Sequence, residues 1–203
     1  MANPLPAAKD ALAARPPYVF LHDLPSAQPM NEDERLLNSM RSDPRMFREA
    51  MTRFAAAVNV VTTDGASGRR GVTVSSACSV SDDPATLLVC LNLSSPDNDW
   101  FETNGVFAVN VLSARDDALA RAFAGEGKLS QPERFARGRW SAGSTGAPLL
   151  ETALASFDCR LIEAKVIATH KVLIGEVAGL RTGETAPSLV YLDRGFHALD
   201  IRR

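Results

Sequence analysis

No stretch of this 203-residue chain approaches the ~20 consecutive apolar residues that a membrane-spanning helix needs. Its first residues also lack the positive-then-apolar pattern of a secretion signal. Charge of one sign is lacking too. Twenty-two basic residues against 24 acidic ones give a formal net charge of -2, with no basic run on any one segment, and this leaves no electrostatic footprint for nucleic acid. Cysteine is scarce: Cys78, Cys90 and Cys159 are far apart, with no C-x-x-C pair, and are expected as buried free thiols in a reducing compartment. His22, His170 and His197 are equally scattered, so nothing in their spacing supports a metal site. Without a G-x-G-x-x-G or a P-loop, a Rossmann or Walker nucleotide site is disfavoured. These absences lead to the expectation of a cytoplasmic protein with neither membrane nor nucleic-acid partners, long enough for one domain with a real core.

The stretch from Gly71 to Pro96, GVTVSSACSVSDDPATLLVCLNLSSP, carries the functional expectation. Successive side chains of a strand point to opposite faces, which puts Val72 and Val74 on one side and Thr73 and Ser75 on the other. One face can pack while the other can hydrogen-bond. Asp82-Asp83-Pro84 turns the chain, and Thr86 to Leu91 reads as a fully buried strand. Ser95 followed by Pro96 has the pattern of a helix start, with a stop at Asn104-Gly105. First-turn amides at the positive end of that helix make the Ser94-Ser95 turn a seat for a phosphate; the alternative is an ordinary helix cap.

Residues 1 to 29 hold six of the twelve prolines, so the chain is expected to divide into a Pro- and Ala-rich extension over 1–43 and a folded domain over 44–203. Asn31-Glu32-Asp33-Glu34 predicts a short helix through Leu36, Leu37 and Met40. Asp43-Pro44 opens a second helix, whose Phe47, Met51, Phe54 and Val58 are expected to lie on a sheet as core. Strands are expected over Val58 to Thr63 and Phe107 to Leu112, with a helix capped at Ser113 and ended at Gly125. A long loop follows to residue 147, then two β-prone segments joined through Ala168-Thr169-His170-Lys171, and a last short strand at Leu189 to Leu192. Six or seven hairpin-linked strands with two or three short helices predict a mainly β (α+β) chain, an antiparallel split barrel.

In order and spacing, several segments resemble the flavin reductase-like, FMN-binding split-barrel family, the small components of two-component flavin-dependent monooxygenases. They are F-R-E-A-M-T-R-F at 47 to 54, V-V-T-T at 60 to 63, G-V-T-V-S-S at 71 to 76, S-V-S at 79 to 81, F-A-V-N-V-L at 107 to 112, T-G-A-P-L-L-E at 145 to 151 and H-K-V-L-I-G-E-V at 170 to 177. The resemblance implies an NAD(P)H:flavin oxidoreductase that reduces FMN or FAD with NADH or NADPH and supplies a partner monooxygenase. It also implies a homodimer with flavin sites near the interface. Gly71, Val72, Thr73, Val74, Ser75 and Ser76 are similar to the family segment around the flavin ring. Cys90, Leu91, Asn92, Ser94, Ser95, Pro96 and Asp97 match the segment holding the ribityl chain and phosphate, and His170 matches a histidine near the nicotinamide. On its residues alone, His170 also reads as a hairpin-tip histidine in solvent. A family Arg-Phe pair is replaced here by Ala122-Phe123, with Arg121 one position early, so that Arg69, Arg70 or Lys128 are candidate substitutes at the phosphate. The alternatives to a reductase are a non-catalytic flavin- or haem-binding electron carrier or sensor on the same barrel, and a pyridoxamine-phosphate-oxidase-like enzyme.

Overall fold

The computed structural model describes residues 43–200. The expectations for the N-terminal arm, including the helix through Met40, lie outside the described residues. Helix α1 covers Pro44–Met51, and five strands follow: β1 Ala56–Ala57, β2 Asn59–Thr63, β3 Arg70–Val74, β4 Ala77–Asp82 and β5 Ala85–Asn92. A 3-10 turn over Pro96–Asp99 leads into α2, Trp100–Asn104, and then β6, Val106–Val111. Helix α3, Asp117–Ala124, and helix α4, Gln131–Phe135, precede the short pair β7, Trp140–Ala142, and β8, Pro148–Leu150. The long strands β9, Ala155–Ile167, and β10, His170–Thr182, precede β11, Ser188–Leu192, and β12, Gly195–Leu199.

Seven strands form one antiparallel sheet in the order β3-β2-β6-β9-β10-β5-β4. Strands β3 and β4 stand at its two edges, yet only Ser75 and Ser76 separate them in sequence. Six strand spacings laid flat would hold the edges about 29 Å apart. The link across two residues reaches at most about 11 Å. The sheet is therefore curled until its edges approach, with no backbone ladder between them, as a split barrel requires. Val61, Val74, Val89, Leu91, Phe107 and Leu173 fill the inside with Phe101 of α2. A second core, around Val58, Leu112, Phe123 and Phe135, packs α3 and α4 on the outer face of β2 and β3. There the rings of Phe123, Phe135 and Trp140 meet edge to face, with centroids 5.1, 5.8 and 5.0 Å apart.

Several expectations fail at this level. The α1 stripe is not core: the helix stops at Met51, buries none of its residues, and leaves Met46, Phe47 and Phe54 more than half exposed. Val58 is buried, but by its extended segment between β1 and β2 rather than by a helix. The stretch from 125 to 147 is no bare loop, because Ser130 and Glu133 close a capping box that starts α4 and Phe135 anchors it. Cys78 is exposed rather than buried, since β4 is an edge strand with only one neighbour. The short strand β12 escapes the sequence because Arg194-Gly195-Phe196 reads as a turn followed by a polar tail.

Glycine at 175 is dictated by packing. A Cβ there would stand 2.5 Å from Cζ of the fully buried Phe107 and 3.0 Å from Cβ of Cys159. Gly175→Ala is expected to destabilise the fold by about 1–3 kcal/mol, as overpacking does. The urea midpoint measures it, and an unchanged midpoint would show that the interior has slack at this layer.

Candidate functional site

Strand β3 gains its character from register. Gly71 stands opposite Thr62, but its amide donates to Gln131 Oε1 at 2.9 Å and its carbonyl accepts from Gln131 Nε2 at 3.2 Å, so both point away from β2. Outward and inward pairs alternate along an antiparallel strand, and Thr73, two residues on, therefore also turns its amide and carbonyl away from β2. Val72 and Val74 pack on the inner core as the alternation predicts. The Thr73 hydroxyl is not free; it donates to the Ala120 carbonyl of α3 at 2.7 Å. What Thr73 offers a ligand is main chain. Ser75 is exposed, and the Ser76 hydroxyl donates to the Cys90 carbonyl at 2.9 Å while the Cys90 amide donates to the Ser76 carbonyl at 3.0 Å.

At the other end of the same strand lies Arg70, whose side chain is only 6% exposed. Its Nε and Nη2 both donate to Asn98 Oδ1, at 2.9 and 2.7 Å; Nη2 also donates to Ser95 Oγ at 2.7 Å, and Nη1 to Asp97 at 3.3 Å. Burial draws the pKa of this guanidinium down, the Asp97 carboxylate opposes that, and Arg134 adds to it. Asn98 passes the connection on, donating to the Asn92 carbonyl at 2.8 Å. The segment 90–98 thus runs alongside 70–76 in the opposite direction, tied to it at Ser76 and again at Arg70. Six residue steps separate the ties along the chain, about 20 Å when extended.

The register of β10 on β5 sets His170 directly opposite Asn92, and the Leu93 amide donates to the Thr169 carbonyl at 3.0 Å. His170 is the first residue of β10 rather than a loop tip, since the turn is only Ala168-Thr169, with Ala168 at a φ of 51°. It is half-buried, and its Nδ1 lies 2.9 Å from Thr169 Oγ1. Next to it Lys171 is buried and donates to Asp99 at 2.6 Å and Glu102 at 2.5 Å, which clamps α2 to β10. Burial works against that ammonium, and the two carboxylates more than offset it, so its pKa stands above the ordinary lysine value.

The structure therefore brings the three predicted segments together: 71–76, 90–97 and His170. Within them Leu91 is buried core and Gly71 has both main-chain groups engaged by Gln131. Glycine is needed there because a Cβ would meet the Phe123 ring at 2.4 Å. Ser95 has the extended φ of -106° and ψ of 105° of an N-cap residue but makes no side-chain cap bond, because its hydroxyl serves Arg70. The Asn92 side chain instead caps the turn, accepting from the Ser94 amide at 2.8 Å. Of the candidate substitute cations, Arg69 pairs with Asp64, Arg70 faces the turn and Lys128 is exposed in the turn after α3; the displaced Arg121 is bound to Asp117 and Glu126 on the outside. Asn98 and Lys171 were missed, although both are polar residues beside predicted ones. A cavity of about 740 Å³ lined by Arg115, Arg139, Glu151 and Arg181 opens at the opposite end of β10 and contains none of these residues. Among the described residues no group of three or more His, Cys, Asp or Glu could hold a metal ion, and no helix is long and apolar enough to cross a membrane.

Comparison with known proteins gives a consistent picture. Residues 51–200 match the family described as flavin reductase like domain. A protein of Variovorax paradoxus named FMN reductase (NADH) RutF is 50% identical over 153 residues, 75% of this chain and 84% of the relative. The crystal structure of a flavin reductase from Haemophilus somnus superposes with a TM-score of 0.74 at 39% identity, over 78% of this chain and 100% of that one. BorF, the flavin reductase component of a bacterial two-component tryptophan halogenase, gives 0.72 at 34%, over 79% of this chain and 100% of its own.

The three thiols differ in burial: Cys78 is exposed, Cys90 half-buried and Cys159 buried. Burial first, and then the Asp158 carboxylate, push the Cys159 pKa up to about 12, and burial followed by Cys78 raises that of Cys90. A raised pKa keeps the thiol protonated, and the thiolate is the reacting form, so Cys159 stays inert until the pH nears that value. A disulfide reagent at pH 8 is expected to titrate exposed Cys78 first and Cys159 only after unfolding. Three equal rates in the native protein would contradict this.

Proposed function

The chain belongs to the flavin reductase-like family, and on that premise we propose that it reduces FMN with NADH and passes the reduced flavin to a partner flavin-dependent monooxygenase. Nicotinamide-dependent flavin reduction is the activity in the names of the curated relatives. The narrower choice of FMN and NADH rests on the relatives named FMN reductase (NADH), and the hand-over on a structural relative that is one half of a two-component system. A non-catalytic carrier or sensor has no counterpart among these names.

One observation carries the reading: β3 and the 90–98 segment are tied at both ends, and between the ties the Thr73 amide and carbonyl turn away from β2. The outward amide and carbonyl of Thr73 fit the donor and acceptor edge of a flat heterocycle. Ser95 Oγ accepts from Arg70, so its own hydrogen is left to donate to a phosphate. The residues present therefore fit a flavin mononucleotide, with the ring along 72–76 and the phosphate at 94–97. When bound, the flavin accepts a hydride at its ring from the nicotinamide, and the electron chemistry is its own. The protein orients and shields. His170, its Nδ1 occupied by Thr169, has Nε2 left to hold the nicotinamide carboxamide. No general acid or base is needed for such a transfer, which agrees with the lack of a catalytic triad in this region.

A flavin that must leave calls for a seat that a single chain does not enclose. A second copy is the proposed cover. Val80 on β4, Ile162, Val166 and Ile167 on β9 and Leu180 on β10 are each more than half exposed, an apolar surface that a homodimer would bury. In this reading residues 44–203 are the reducing body in the cytoplasm, and residues 1–43 are an extension to it.

Steady-state loss of nicotinamide absorbance tests the assignment. FMN with NADH is expected to give the highest kcat/KM of the four flavin and nicotinamide pairings; no oxidation with any pairing would remove the reductase reading. His170→Ala is expected to raise KM for NADH about tenfold, the loss of roughly one hydrogen bond to a charged or polar partner, with little change in FMN affinity. An unchanged KM for NADH would free His170 from this role.

A further inference from the structure

We propose that Arg70 is a positioning residue that sets the affinity of the site for the flavin phosphate without touching it, an inference that rests on the proposed assignment of the 94–97 turn. Four hydrogen bonds use most of the five guanidinium donors, and the side chain is 6% exposed, so Arg70 sits behind the turn rather than at its surface. Its effect is threefold. By donating to Ser95 Oγ it fixes that oxygen as an acceptor and turns the hydroxyl hydrogen outward. By binding Asn98, which in turn holds the Asn92 carbonyl, it fixes the turn against the end of β5.

The third effect is electrostatic. Asp97 is half exposed on the same turn, and its carboxylate would repel a phosphate placed there; Arg70 at 3.3 Å offsets that charge from the buried side. Removing the guanidinium therefore costs the phosphate a fixed donor hydroxyl, a fixed turn and the neutralisation of Asp97 together. The flavin ring, held at Thr73 to Ser76, loses none of these. The signature of the role is a loss of discrimination between FMN and riboflavin, which differ only in the phosphate.

Affinities of the full chain for FMN and riboflavin, measured by quenching of flavin fluorescence, test this in the wild type and in Arg70→Met, Arg70→Lys and Asn98→Ala. Thermal midpoints monitor folding. Arg70→Met is expected to weaken FMN about tenfold or more while moving riboflavin less than twofold. Asn98→Ala is expected to shift the ratio the same way, Arg70→Lys to lie between, and Asp97→Asn added to Arg70→Met to recover part of the lost FMN affinity. If Arg70→Met does not fold, Asn98→Ala and Arg70→Lys decide. Wild-type protein that binds riboflavin as tightly as FMN would overturn the assignment of the turn, and this inference with it. A wild-type preference for FMN that survives in the Arg70 and Asn98 variants would overturn the inference alone.

Discussion

A buried guanidinium joins the β3 edge of the main sheet to the turn that follows β5. Strands β3 and β4 end the main sheet on either side, and the chain passes between them through two residues. What keeps the far end of β3 aligned with the segment beyond β5 is Arg70, bonded to Ser95, Asp97 and Asn98. A charge this enclosed is costly unless its hydrogen bonds are satisfied. Here four are made, and among the described residues no buried side-chain nitrogen or oxygen is left without a partner. Lys171 repeats the device a few residues away, holding α2 to β10 through Asp99 and Glu102. The sides of the proposed flavin seat are thus held by polar ties, while Val72 and Val74 turn from it into the apolar inner core.

That division matches what a shuttled flavin demands. The ring can lie against rigid strand and meet main-chain donors that need no rearrangement, an economical form of preorganisation. In the proposed seating the phosphate end would rest on a turn whose charge is balanced rather than strongly positive, since Arg70 is opposed by Asp97. Such a seat holds and releases. The cavity of about 740 Å³ at the other end of β10 is lined by three arginines, yet contains none of the residues of 71–76, 90–97 or His170.

Much of this arrangement was legible in the sequence. The alternation of Val72 to Ser75 is where the pleat puts it and Thr86 to Leu91 lies in a strand, but Leu87, Leu88 and Cys90 are only partly buried and the Ser95 hydroxyl serves Arg70 instead of capping the turn. Arg70 could be named beforehand only as one of three candidate cations, because its partners lie 25 to 28 residues away and no local rule reports on them. Lys171 and Gln131 are of the same kind: their bonds to Asp99 and Gly71 cross 72 and 60 residues of chain. The α1 stripe misled for the opposite reason. Its spacing is helical, but spacing says nothing of whether a surface waits opposite, and within the described residues those side chains stay exposed. Cys78 likewise looked like core because an apolar-rich strand at a sheet edge has the composition of a central one.

Amide hydrogen exchange with and without bound FMN addresses the central claim most directly, since it reports which backbone segments a flavin touches. The account predicts slowed exchange in 72–76 and 94–98 together, and no change around Arg181 to Glu184 beside the arginine-lined cavity. Protection at 181–184 with none in 72–76 and 94–98 would place the flavin elsewhere and contradict the account.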